Sequence, residues 1–260
     1  ESIQLYLGTV LAGGIFLPLN TAYTPSELEY FLTDAKPLIF VCDPKKSAVL
    51  EVLAEQTGVG KVFTLSADGL GSLIDALPMH THSFKEVARG KDDLAAFLYT
   101  SGTTGRSKGA MLTHNNLVSN AQSLCQCWHF DNTDVLIHAL PLFHIHGLFV
   151  ATNVTLSAGS SMIFMPQFDS EMIISLMSRT TVLMGVPTFY VRLLESANLC
   201  AATVAPMRLF ISGSAPLLAE THKQWQEVTG TAILERYGMT ETNMNTSNPY
   251  EGERRAGTVG

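Results

Sequence analysis

The sequence predicts an α/β protein built on largely parallel βαβ sheets, and three observations carry that reading. Strand and helix patterns alternate along the chain with short connections, which favours a parallel sheet covered by helices. Helix-start signals (Thr24-Pro25, Pro187, Pro216) precede the apolar periodic segments. Glycine- and hydroxyl-rich turns occupy 100–109, 212–216 and 236–241. A parallel sheet gathers such loops beyond the carboxyl ends of its strands, so all three are expected on one rim.

Composition agrees. The 260 residues are 46% hydrophobic and only 15% charged, enough to bury a sizeable core. A net charge of −7 argues against nucleic acid or an anionic membrane as partner. No charged residue occurs from Val135 to Phe168. Pro141, Asn153, Pro166 and three histidines interrupt that run, so it reads as buried core and not as a membrane span. Cys42, Cys125, Cys127 and Cys200 form no CxxC pair, a pattern of reduced thiols in an intracellular protein, expected to be cytoplasmic, with mitochondrial the alternative in a eukaryote.

Taken in order, "ESIQLYLGTVLAGG" reads as the middle of a helix, without initiator Met or signal peptide. "TPSELEYFLTDA" carries a capping box, Thr24 with Glu27 three residues on, then apolar residues at 28, 31, 32 and 35. "PLIFVC" (37–42) reads as a buried strand, 44–57 as a helix and "KVFTL" as a second strand, with 67–92 a polar surface connection. Thr113 caps a helix whose apolar face holds Leu117, Val118, Ala121, Leu124, Cys125 and Trp128. "DVLIHAL", "SSMIFM" and "TTVLMGV" read as strands, alternating with the helices "GLFVATNVTLSAG", "SEMIISLMSR" and "PTFYVRLLESAN". Residues 207–241 then read as strand, tight loop, a helix opened by Pro216 and closed near Gly230, strand, and loop.

The loop "YTSGTTGRSKG" (99–109) offers many N–H and O–H donors and little bulk, which suits a polyanion. It is not a Walker loop: Gly102 and Gly105 enclose only two residues, and Lys108 comes three residues late. As a whole it resembles the phosphate-binding signature of the adenylate-forming superfamily, which includes acyl-CoA synthetases, firefly luciferase and peptide-synthetase adenylation domains. "SGSAPL" (212–217) and "RYGMTE" (236–241) resemble two further motifs of that family, in the family's order. The resemblance covers essentially all 260 residues, 1–92 as a leading βαβ portion and 93–260 as an ATP- and acyl-binding portion of the N-terminal domain. It is closest to the malonate-activating synthetases, through "PLNTAYTPSELEYFLTDAKP", "PLFHIHGLFV", "VPTFYVRLL" and "ERYGMTETNMNTSNPY". It also implies that the chain is truncated at both ends. The family's mobile C-terminal domain, with its catalytic lysine, and its ribose-binding Asp lie outside it, so the piece alone is expected to be weak or inactive.

That resemblance implies an acid–thiol ligase using ATP, Mg2+ and coenzyme A, with malonate as the acid. Alternatives are another short-chain or aryl acyl-CoA synthetase, phosphoryl transfer, or a nucleotide-binding fragment without catalysis. Thr100, Ser101, Gly102, Thr103, Thr104, Gly105 and Lys108 would hold the β- and γ-phosphates. Thr240 would donate to the α-phosphate and Glu241 would hold Mg2+. Gly213, Ser214, Ala215, Tyr237 and Gly238 would line the adenine. Met239 and His146 would line the acyl site, and Arg192 and Arg236 would together clamp a second carboxylate. On the helix alone, Arg192 with Glu195 reads first as a solvated pair. His138, His144 and His146 lack the further ligands of a zinc site, and "HTH" (80–82) reads as surface.

Overall fold

The structure, a computed structural model, describes residues 1–77, 84–100 and 106–260. Two compact units result, Glu1–Ala88 and Arg89–Gly260.

In the first, helices α1 (Ser2–Leu11), α2 (Pro25–Ala35) and α3 (Ser47–Thr57) accompany two parallel strands, β1 (Ile39–Cys42) and β2 (Lys61–Thr64). The capping box of α2 forms as the sequence predicts. The Glu27 N–H donates to Thr24 Oγ1 at 3.3 Å, and the Thr24 N–H donates to Glu27 Oε2 at 2.8 Å. Leu28 and Leu32 of α2 pack with Cys42, Leu50 and Leu53. The expectation of a buried first strand is corrected. Leu38 is 83% and Ile39 56% exposed, because β1 pairs along one edge only and its apolar run outlasts its cover.

In the second unit, β3 (Leu94–Thr100) and β4 (Lys108–Thr113) form an antiparallel hairpin. Ser101, Gly102, Thr103, Thr104 and Gly105, like 80–82, lie outside the described residues. β4 runs into α4 (His114–Cys127), capped by Thr113, whose Oγ1 accepts from the Asn116 N–H at 3.1 Å. Leu117, Ala121 and Leu124 of α4 are buried, whereas Val118 is 51% exposed. The buried stripe is thus narrower than predicted, for a residue 100° round from Leu117 already reaches solvent.

The six-stranded sheet runs β10-β9-β8-β7-β5-β6. β5 (Val135–His138), β6 (Ser161–Phe164), β7 (Val182–Gly185), β8 (Leu209–Ser212) and β9 (Leu234–Met239) are parallel, and β10 (Asn243–Ser247) is antiparallel to β9. The chain winds from β5 to β6 on one side and to β7, β8 and β9 on the other, so a topological switch point lies between β5 and β7. A π-helical turn at His146–Thr152 leads into α5 (Asn153–Ser157); α6 (Ser170–Leu176), α7 (Pro187–Leu194) and α8 (Ala219–Thr229) connect the later strands. The core beneath them centres on rings. Trp225 of α8 meets Tyr190 and Phe210 edge-on, at centroid distances of 5.1 and 4.9 Å.

Two expectations for the last third are corrected. α8 begins at Ala219, with Pro216 in the preceding loop. The segment expected as a loop from Arg236 is strand through Met239, turning only at Thr240–Thr242 before β10 returns. Gly238 permits that return, since a Cβ there would lie 2.1 Å from the Asn243 carbonyl oxygen. The short polar strand "NMNTS" has no apolar alternation to reveal it.

At the amino rim of the sheet sits a saturated ionic network. Arg208 donates from Nε and Nη2 to the two carboxylate oxygens of Asp134, at 2.7 and 2.6 Å. It also donates to the Trp128 and His129 carbonyls. The Thr181 hydroxyl adds a bond to Asp134 at 2.7 Å.

Candidate active site

At the opposite, carboxyl rim the sheet register assembles the site. Ser212 pairs with both Gly185 of β7 and Glu235 of β9. The residues one step further on, Gly213 and Arg236, therefore lie side by side. Arg236 is 3% exposed, yet its Nε and Nη2 have no hydrogen-bond partner. Glu235 does not neutralise it. Successive strand side chains leave opposite faces, and Glu235 is engaged elsewhere, by His222 Nδ1 at 2.9 Å and the Gly257 N–H at 3.0 Å. Burial lowers the Arg236 pKa from 12.5 to about 10.

Around this guanidinium stand further buried polar groups. His146 opens the π-helical turn after β5 and accepts or donates through Nδ1 to Ser214 Oγ at 3.2 Å, leaving its buried Nε2 unpaired. Ser212 Oγ is also buried and unpaired, but on the opposite face, which it shares with its register partner Glu235. Tyr190, fully buried on α7, donates its hydroxyl to the Ile211 carbonyl at 2.6 Å; burial pushes its pKa up, against the pull of Arg236. Arg236 and His146 thus bring unsatisfied polar atoms from two elements to the end of the sheet, where buried groups are ordinarily paired. The contrast with Arg208 is direct. Half-buried Arg208 has its carboxylate, and buried Arg236 has none among the described residues.

Burial, and then the charge of Arg236 with smaller contributions from His138 and His144, holds His146 well below the ordinary histidine range. Its ring is therefore expected to stay neutral from about pH 6 to 8. Ring-proton NMR should show no titration of His146 in that window, and a midpoint inside it would contradict this arrangement. His138 is also buried. It bonds through Nε2 to the Gly147 carbonyl at 2.9 Å, beside Thr152, whose hydroxyl donates to the same oxygen at 3.0 Å. It thereby pins the turn that carries His146.

The other predicted residues are placed as follows. Ser214 and Ala215 are exposed in the loop after β8, with Ser214 in the left-handed region at φ 71°. Tyr237 and Met239 are 45% and 40% exposed on β9, with half-buried Gly238 between them; Thr240 and the exposed Glu241 form the turn that follows. Thr100 and the exposed Lys108 face each other across the β3–β4 hairpin, a sheet separate from β9. Helix α4 links the two. The Asn243 Nδ2 donates to the Asn116 carbonyl at 3.2 Å, and Asn120 exchanges two bonds with the Met244 backbone.

Arg192 is corrected. It is exposed and lies over the Phe168 ring at 4.5 Å. Tyr190, two residues earlier on α7, is the residue coupled to Arg236, and a two-residue step turns a helical side chain by about 200°. No contact joins Arg192 to Arg236 among the described residues, so the clamp of two arginines expected from the sequence is not assembled here. Nor does Arg192 form an ion pair with Glu195 among the described residues. Sequence reading missed Tyr190 and Ser212, because a tyrosine in an apolar helix and a serine ending a strand carry no signal of their own. Among the described residues, no three His, Cys, Asp or Glu side chains are grouped to hold a metal ion, and no helix is long and apolar enough to cross a membrane.

Comparison with known proteins agrees with this layout. The chain is similar to ATP-bound MatB from Rhodopseudomonas palustris, with 62% identity and a TM-score of 0.97 over all of this chain and 51% of that one. It is similar to a malonyl-CoA ligase crystallised as a ternary product complex with methylmalonyl-CoA and AMP, at 34% identity and a TM-score of 0.84, covering all of this chain and 54% of that one. The malonate–CoA ligase of Arabidopsis thaliana is 34% identical over 283 residues, covering the whole of this chain and 46% of that protein. The chain thus spans about half the length of the relatives it matches. The sequence profile described as AMP-binding enzyme matches residues 1–260, and the chain belongs to the AMP-binding enzyme family.

Proposed function

We propose that this chain is the nucleotide- and acid-binding part of an ATP-dependent, AMP-forming acid–thiol ligase that activates malonate and passes it to coenzyme A. One observation carries the choice of acid: Arg236 is a buried guanidinium with two unpaired donors and no counter-ion among the described residues. Such a charge costs several kcal/mol to bury unless it is paired. A dicarboxylate supplies the missing anion with one group while the other reacts, and arginine offers that group a planar fork.

The chemistry expected of this site joins an acid to ATP. A carboxylate oxygen attacks the α-phosphorus, pyrophosphate leaves, and the thiol of coenzyme A then displaces AMP from the acyl-adenylate. Anions must be brought together in the first step, so positioning and charge stabilisation dominate. In this reading Lys108 and the 100–105 segment hold the outer phosphates, and Thr240 donates to the α-phosphate. Tyr237, with Ser214, Ala215 and Gly238, lines the adenine. His146, kept neutral, presents an uncharged ring to the reacting acid without adding a second buried cation, and Met239 flanks it. Glu241 is a single exposed carboxylate in a turn, which fits Mg2+, an ion that takes one or two protein carboxylates and fills its shell with phosphate oxygens and water. When bound there, Mg2+ would neutralise phosphate charge.

The test is a panel of acids given to the full natural polypeptide that contains this chain, with AMP and acyl-CoA both measured. Malonate should outcompete acetate and benzoate, with AMP and not ADP as product. Preference for a monocarboxylate would refute the choice of malonate, and ADP formation would refute adenylation.

A further inference from the structure

The family resemblance assigns Gly213 to the adenine. Its geometry says otherwise. A Cβ built at Gly213 would lie 2.3 Å from Cζ, 2.4 Å from Nε and 2.4 Å from Nη1 of Arg236. Real Cβ atoms do not approach heavy atoms so closely, so the guanidinium lies flat against the glycine's α-carbon. Backbone freedom does not explain the residue, because Gly213 is absent from the positive-φ positions. Alanine is therefore conformationally acceptable there, and what the missing side chain supplies is room.

The displaced group could move only toward the side where Nε and Nη2 stand free, which is the side the acid would take. Arg236 is 3% exposed, and its other neighbours include fully buried Tyr190 and His146, 2% exposed. The sheet register fixes the proximity, since Ser212 pairs with Glu235 and holds the following residues abreast. An alanine at 213 would drive the guanidinium out of the plane in which Nε and Nη2 stand free.

We infer that Gly213 is a specificity-determining residue: by lacking a side chain it seats the Arg236 guanidinium, and so selects acids that bring a second carboxylate. Gly213 acts through Arg236 and is not itself required to touch the acid. The inference rests on the proposed acid-binding role of Arg236, and deepens it by naming what holds that residue in place.

A double-mutant cycle tests it, using the full polypeptide as wild type, Gly213→Ala, Arg236→Ala and the double variant. Two readouts are taken: kcat/KM for malonate and for acetate alongside KM for ATP, and the thermal midpoint without ligands. Gly213→Ala should lower malonate kcat/KM by about tenfold or more, as expected when a buried charge contact is displaced, while KM for ATP moves less than about threefold. In the Arg236→Ala background the same substitution should change kcat/KM by less than about threefold, because the clash is gone. It should likewise lower the midpoint in the wild-type background only. If Gly213→Ala leaves malonate turnover within about threefold, or costs the same in both backgrounds, the inference is overturned. A variant too unstable to assay is covered by the double variant, which should regain the midpoint of Arg236→Ala. The malonate reading fails separately, if wild type prefers acetate; the thermal cycle involves no acid and decides the role of Gly213 in that case too.

Discussion

Replacing Arg236 by methionine is expected to make the ligand-free protein more stable and a poorer malonate enzyme. Its guanidinium is buried without a counter-ion among the described residues, and the fall of its pKa to about 10 corresponds to roughly 3 kcal/mol at 1.36 kcal/mol per unit. The sign is fixed by linkage. A base whose pKa is lowered by folding destabilises the fold in full below that lowered value, and the penalty fades as pH rises from the folded value to the unfolded one. At neutral pH the full penalty is present, so methionine should raise Tm by roughly 5–10 °C for a domain of this size. Malonate kcat/KM should fall about a hundredfold or more, because losing one partner of a buried charge pair costs 2–5 kcal/mol. KM for ATP should move little. Scanning calorimetry and steady-state kinetics check the two halves independently. A lower Tm with equal losses for malonate and ATP would mean that Arg236 is a structural residue.

The second large effect is at the opposite rim. Asp134→Asn keeps the shape of the carboxylate but removes its charge from the bidentate contact with Arg208. Breaking a buried pair costs about 3–5 kcal/mol. Arg208 retains 24% exposure, which lets water relieve the orphaned cation, so about 3 kcal/mol is expected at pH 7. Burial pushes the Asp134 pKa up, but the bonds from Arg208, Thr181 and the Asp131 backbone outweigh it and the net shift is downward. A lowered carboxylate pKa contributes stability that is present above the unfolded value, about 3.9, and lost as pH falls through the folded one. Thermal midpoints of wild type and variant should therefore differ at pH 7 and converge as pH falls from the unfolded value through the lowered folded one. A gap that persists in acid would mean that shape, not charge, holds this corner.

These two arginines also show what could be read from the sequence. The alternation of strands and helices, the capping residues Thr24 and Thr113, and the placement of a loop after β8 are local signals, set by side-chain periodicity and backbone donors. They were legible. Arg236 was legible as a candidate through its motif, but its lack of a counter-ion depends on the β8–β9 register and on where Glu235 turns, and neither leaves a trace in a linear pattern. Arg192 failed for the related reason that helix spacing ranks faces without saying what each face meets. The run from Arg236 to Met239 looked like a loop because Tyr-Gly-Met has no alternation. Its strand is imposed by β10, itself too polar to announce a strand. Pro216 opens no helix because the loop seating Gly213 and Ser214 extends past it.

The central claim is that Arg236 stands unpaired in order to receive an acid's second carboxylate. A crystal structure of the protein with malonate and ATP tests it most directly. One carboxylate should accept hydrogen bonds from Nε and Nη2 of Arg236 at about 2.7–2.9 Å, with the other carboxylate directed at the α-phosphate. Malonate bound elsewhere, with Nε and Nη2 still free beside it, would contradict the account.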